Sequence, residues 1–135
     1  GPARMQRLEP SGVLAAAGAR IAFGSDWPVD PLDVWFALKV GVTRTNAPDA
    51  APEYRGRLGD GPALSRQSVL EAATINAAYE LHADDTTGSL EVGKFADVVV
   101  LDRNPLTVPA EDIANVRVLE TVVGGTVVYD NEQRE

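Results

Sequence analysis

The chain has 135 residues, 12 of them basic and 20 acidic, for a net charge of -8; 44% are hydrophobic, 24% are charged and none is cysteine. Such a chain is globular and long enough for one core, but too short for a complete eightfold barrel, which needs roughly 250 residues. The acidic balance argues against nucleic acid and anionic membranes as partners, since both are held by clustered Lys and Arg. The lack of cysteine excludes disulfides, thiolate metal sites and a cysteine nucleophile. It leaves the compartment open, with the cytoplasm as the default expectation. No stretch approaches the ~18 apolar residues of a membrane helix. Gly1-Pro2 and a first methionine at Met5 suggest a piece of a longer chain.

Residues 8–19 read as a short helix, with Val13, Leu14 and Ala17 on one face and Gly18 as its stop. Residues 20–24 are an apolar run consistent with a buried parallel strand. That strand must end near Asp26, because Pro28 cannot extend a central strand. Asp30-Pro31 resembles an N-cap and first-turn proline, opening a helix with Leu32, Trp35, Phe36 and Leu38 on apolar spacings. Residues 44–64, rich in Pro, Gly, Asp and Ala, read as a long loop. Ser65 caps the clearest helix, with Val69, Leu70, Ala73, Ala77 and Leu81 as its buried stripe. Residues 82–87 form a polar turn.

After Gly88 the texture becomes β-rich. Leu90 and Val92 alternate with polar residues, and Gly93-Lys94-Phe95 marks a turn. Residues 96–102 predict a strand buried on both faces, broken by Asn104-Pro105. A helical turn is expected over 109–115. Residues 116–123, Gly124-Gly125 and 126–129 predict a β-hairpin. The shift near residue 88 divides the chain into an α/β part, 1–87, and an all-β part, 88–135.

Several segments fall in a telling order. The first is Gly24-Ser25-Asp26-Trp27-Pro28-Val29, with Pro31 following. The second is Leu70-Glu71-Ala72-Ala73-Thr74-Ile75-Asn76-Ala77-Ala78, similar to a Thr-x-Asn-Pro-Ala helix with Ala77 in place of proline. The third runs from Gly88-Ser89-Leu90 through Gly93-Lys94-Phe95-Ala96-Asp97 to Asp102, and Val123-Gly124-Gly125-Thr126-Val127 closes the set. Together they resemble the metal-dependent amidohydrolase superfamily, specifically its amidohydrolase-3 branch, which includes N-substituted formamide deformylases.

The resemblance implies an α/β fold: the carboxyl-terminal part of a (β/α)8 barrel followed by strands of a small β-sandwich. Residues 20–25 would be the last barrel strand. The implied function is hydrolysis of C–N (amide or N-acyl) bonds in a small-molecule substrate, with a divalent metal, zinc by expectation, in the intact enzyme. Asp26 matches the family's aspartate at the end of the last strand, which touches the metal and accepts a proton from the attacking water. Read from the residues alone, the turn cap before Pro28 is the favoured role of Asp26, and the resemblance shifts the reading to catalysis. Trp27 is the candidate substrate contact, against core packing for both it and Trp35.

One carboxylate does not make a zinc site. The family's His-x-His pair, bridging lysine or equivalent and later histidines are absent from these residues. His82 reads as a helix-end surface residue, Lys94 as a turn residue and Asp30 as a cap rather than a ligand. Arg44, Tyr54 and Arg55 read as solvated loop residues rather than substrate contacts. Ser65 and Ser68 have no base nearby, and Gly59-Asp60-Gly61 lacks a phosphate-loop context. Asn76 is expected to hydrogen-bond the backbone of a neighbouring loop. By itself the chain is expected to bind no metal and to be inactive. The competing class is a non-catalytic binding or self-assembly domain that keeps the end of the fold; an unpaired last strand makes self-association compatible with either.

Overall fold

A computed structural model describes all residues except 2, 3, 5, 6, 30 and 132–135. Its elements are α1 (Ser11–Ala16), α2 (Val34–Thr43), the 3-10 turn η1 (Pro52–Tyr54), α3 (Arg66–Ala73), α4 (Ile75–Glu80), β1 (Val98–Leu101), the 3-10 turn η2 (Ala110–Asn115), β2 (Val118–Val123) and β3 (Thr126–Asp130).

Local chemistry explains the helix ends. α1 stops where the Gly18 amide reaches Ala15 O and the Ala19 amide reaches Leu14 O. It is shorter than residues 8–19, and Val13 and Leu14 are exposed; Gly12 is the residue it buries. α2 is capped by Asp33, whose Oδ1 accepts the Phe36 amide at 2.9 Å. The expected cap, Asp30, lies outside the described residues. Ser65 caps α3 as the sequence predicts, accepting the Ser68 amide at 3.0 Å. The predicted continuous helix breaks at Thr74, which has φ -125° and ψ -98°. The Thr74 hydroxyl donates to Leu70 O at 2.7 Å, the kind of side-chain competition that interrupts helices. Val69, Ala72 and Ala78 form the buried stripe, while Leu81 at its far end is exposed.

Two strand expectations need correction. Residues 20–24 form no strand. A buried parallel strand needs neighbours on both sides, and among the described residues none pairs with it; one backbone bond, Phe23 N–H to Ala72 O at 3.0 Å, ties it to α3. β1 is not buried on both faces, since Val99 and Val100 are exposed. It belongs to a three-stranded antiparallel sheet, ordered β1-β2-β3. Leu90 and Val92 lie in no strand and are exposed. The hairpin and the helical turn at 110–115 form as expected. Gly124 and Gly125 both take positive φ, 56° and 81°, as a primed two-residue turn requires.

The core is small. Leu38 of α2, Leu64, Val69 of α3 and Ile113 of η2 make one buried cluster, against which Ile21, Phe23, Trp35 and Val108 pack. Trp35 is therefore a core side chain. Residues from both sides of position 88 contribute to the same cluster.

Candidate functional site

Asp26 sits where the 20–25 segment leaves the core. Its backbone is left-handed, φ 54°, a conformation Asp tolerates better than most residues. Its carbonyl accepts the Val29 amide at 2.9 Å, closing a tight turn that contains a cis Trp27-Pro28 bond. The carboxylate is exposed and, among the described residues, accepts no hydrogen bond. The turn-cap reading of its side chain thus has no bond behind it, because the turn is closed by main-chain atoms. Trp27 is 65% exposed, and its amide donates to Ser25 Oγ at 3.3 Å.

The segment that carries Asp26 is fixed along one face of the helical layer. The Arg20 guanidinium lies 3.8 Å from the centre of the Tyr79 ring, Asn76 Nδ2 donates to Ile21 O at 3.0 Å, and the Phe23 amide donates to Ala72 O. Asn76 and Tyr79, three apart in α4, line up on one face of that helix, and the Ala72 carbonyl comes from the end of α3. The expectation that Asn76 would bond a neighbouring loop is met by the Ile21 carbonyl.

The other singled-out residues do not gather at Asp26. Among the described residues, no three His, Cys, Asp or Glu side chains meet to hold a metal ion. His82 is exposed at the end of α4 with φ 55°. Lys94 is held within its own turn by Ser89 Oγ at 2.6 Å and Glu91 at 3.3 Å. Tyr54 is exposed, and Arg55 donates to Ala50 O at 2.7 Å.

Arg44 is a correction: it is buried, not a solvated loop residue. It ends α2 in a left-handed conformation, and its guanidinium donates to Leu8 O at 2.9 Å, Glu9 O at 2.6 Å and Leu58 O at 2.9 Å. Sequence reading also missed Lys39, which is 2% exposed. Its ammonium reaches Thr45 O, Thr45 Oγ1, Asn46 O and the Glu111 carboxylate at 2.8 to 3.1 Å. The available signal was a lone cation inside the apolar run of α2. Both cations anchor the 44–64 loop.

Two aspartates of the third segment serve structure. Asp97 accepts the Gly124 amide and the Thr87 hydroxyl, each at 2.8 Å, and these bonds hold its carboxyl below the usual range. The Arg103 guanidinium, and then the Arg117 amide, hold the Asp102 carboxyl far below that range.

A sequence profile of the amidohydrolase family matches residues 1–129. The chain belongs to that family. It is 28% identical over 127 residues to the N-substituted formamide deformylase of Arthrobacter pascens, spanning 92% of this chain and 22% of that protein. It is 33% identical over 104 residues to the 5-methylthioadenosine/S-adenosylhomocysteine deaminase of Teredinibacter turnerae, spanning 72% of this chain and 20% of that protein. The crystal structure of an amidohydrolase from Thermotoga maritima superposes with a TM-score of 0.62 at 25% identity, covering 87% of this chain and 25% of that one. The chain thus spans about a fifth to a quarter of these three proteins.

Proposed function

We propose that this chain is the carboxyl-terminal portion of a metal-dependent hydrolase of C–N bonds in amide-type small molecules, with Asp26 as a proton-handling carboxylate of its active site. The observation that carries the reading is the state of Asp26. It is an exposed carboxylate without a described partner, on a segment pinned to the helices behind it. A carboxylate so presented can take up and release a proton without first breaking a structural bond. Trp27, beside it and exposed, is the proposed substrate contact.

Surface area supports the reading of a part within a larger fold. The chain exposes 9411 Å². A free-standing domain of 14.3 kDa exposes about 6,800 Å² by the scaling of folded monomers. In this reading residues 20–25, which pair with no strand among the described residues, would become the last strand of a barrel against partners from outside this chain, residues 1–87 would be its closing elements and residues 88–135 a segment of a β-sandwich. One carboxylate does not fit a zinc centre, which takes three or four ligands. The other ligands would come from outside this chain.

Two measurements test the proposal together. Asp26→Asn in the complete enzyme is expected to abolish amide hydrolysis while the circular dichroism spectrum and melting temperature stay at wild type. The purified 135-residue chain is expected to hold no stoichiometric zinc and to hydrolyse no amide. Full turnover by the Asn variant, or zinc together with turnover in the isolated chain, would defeat it.

A further inference from the structure

We propose that Asn76 is a positioning residue for Asp26, acting through the backbone of residues 21–25; this rests on the reading of Asp26 as the proton-handling carboxylate. Three contacts hold the segment to the helices. The Phe23–Ala72 bond is main chain to main chain and survives most substitutions. The Arg20–Tyr79 contact is a stacking of exposed side chains. Asn76 alone among the described residues fixes this segment by a side-chain hydrogen bond to its backbone.

The geometry makes that bond directional. Asn76 lies in the first turn of α4, just past the break at Thr74, and is half-buried. Its amide points at the carbonyl of Ile21, whose own side chain packs on the core. Two residues on, the Phe23 amide is held by Ala72 O, and the Phe23 ring lies against Gly41 and the same core. Within this chain these two bonds set the height of the segment against the helices. Beyond them only Gly24 and Ser25 separate the anchor from Asp26, and the Asp26–Val29 turn fixes the other side. Losing the Asn76 bond frees the Ile21 end and leaves Phe23 as the one backbone tie between the segment and the helices, which loosens the placement of Asp26 while the helices remain. A misplacement on the order of 1 Å at a reacting group lowers turnover by up to about a hundredfold.

The test uses the complete enzyme, with N-phenylformamide as the probe amide and hydrogen exchange read residue by residue. Asn76→Ala is expected to speed exchange at Phe23 about tenfold, because the Phe23–Ala72 bond then opens without the neighbouring Ile21 anchor, while Leu38 and Val69 keep wild-type protection. It is expected to lower kcat roughly tenfold or more with KM within about twofold. Asn76→Gln keeps the amide donor and should recover much of both; Asn76→Asp keeps the shape, turns an acceptor toward the Ile21 carbonyl and should behave like alanine. Val69→Ala serves as a purely destabilised control with wild-type kcat. Wild-type exchange at Phe23 in Asn76→Ala overturns the anchor. Faster exchange with wild-type kcat, where Asp26→Asn is inactive, overturns the positioning role. Full turnover in Asp26→Asn defeats the reading of Asp26 itself, and the exchange data tell that outcome apart from a failure of Asn76.

Discussion

Replacing Lys39 by methionine tests how the 44–64 loop is held. Methionine keeps the apolar stem and removes the ammonium. Four oxygens lose their partner: Thr45 O at 3.1 Å, Thr45 Oγ1 at 2.8 Å, Asn46 O at 2.9 Å and a Glu111 carboxylate oxygen at 2.9 Å. They do not suffer equally. Glu111 is 60% exposed and returns to water, and Thr45 Oγ1 keeps Thr43 Oγ1 at 2.7 Å. The Thr45 and Asn46 carbonyls are left without the ammonium. Two such acceptors at about 1–1.5 kcal/mol each give a loss of about 2–3 kcal/mol. For a chain of this length that is about 7–10 °C in melting temperature. Glu111→Gln should cost less, about 1 kcal/mol, because the ammonium keeps three neutral oxygens and solvent screens the exposed carboxylate. Melts followed at 222 nm, in low and high salt, check both. A Glu111→Gln loss equal to that of Lys39→Met, or a Lys39→Met loss under about 0.5 kcal/mol, refutes the reasoning.

Two further outcomes are expected. Gly88 has φ +85°, and a Cβ there would stand 2.6 Å from the Ala78 Cβ, so Gly88→Ala should cost about 2–3 kcal/mol, with partial recovery when Ala78→Gly is added. A denaturation double-mutant cycle reads this. Asp102 is depressed when folded, so its contribution is fully present above the unfolded carboxylate range near pH 4 and is lost as pH falls toward its folded value. Asp102→Asn should therefore lower the melting temperature at pH 6 and narrow the gap to wild type progressively below pH 4.

Features set by a few adjacent residues were legible in the sequence. Ser65 caps its helix, Gly124-Gly125 turns the hairpin, and the turn after Pro109 forms, because each is decided within four or five residues. What failed depends on neighbours. The 20–24 run has the composition of a central strand but no strand partner among the described residues, and β1 lacks, among them, the covering layer that two-sided burial presumes. Asp26 was singled out by its motif alone, and the Asn76 bond was legible because an amide on an apolar helix must find a partner. Lys39 and Arg44 were missed because charge in isolation reads as solvated; their burial follows from carbonyls supplied by distant segments.

The cluster of Leu38, Leu64, Val69 and Ile113 has a kinetic consequence. Its last member comes from η2, late in the chain, so the helices made earlier wait with bare apolar faces while synthesis continues. Contacts of such long sequence separation close slowly and leave intermediates open to aggregation and chaperone capture. A nonsense codon or protease cut ahead of η2 would remove the wall on which α2 and α3 settle, and the product would be a collapsed, sticky intermediate in place of a shortened native protein.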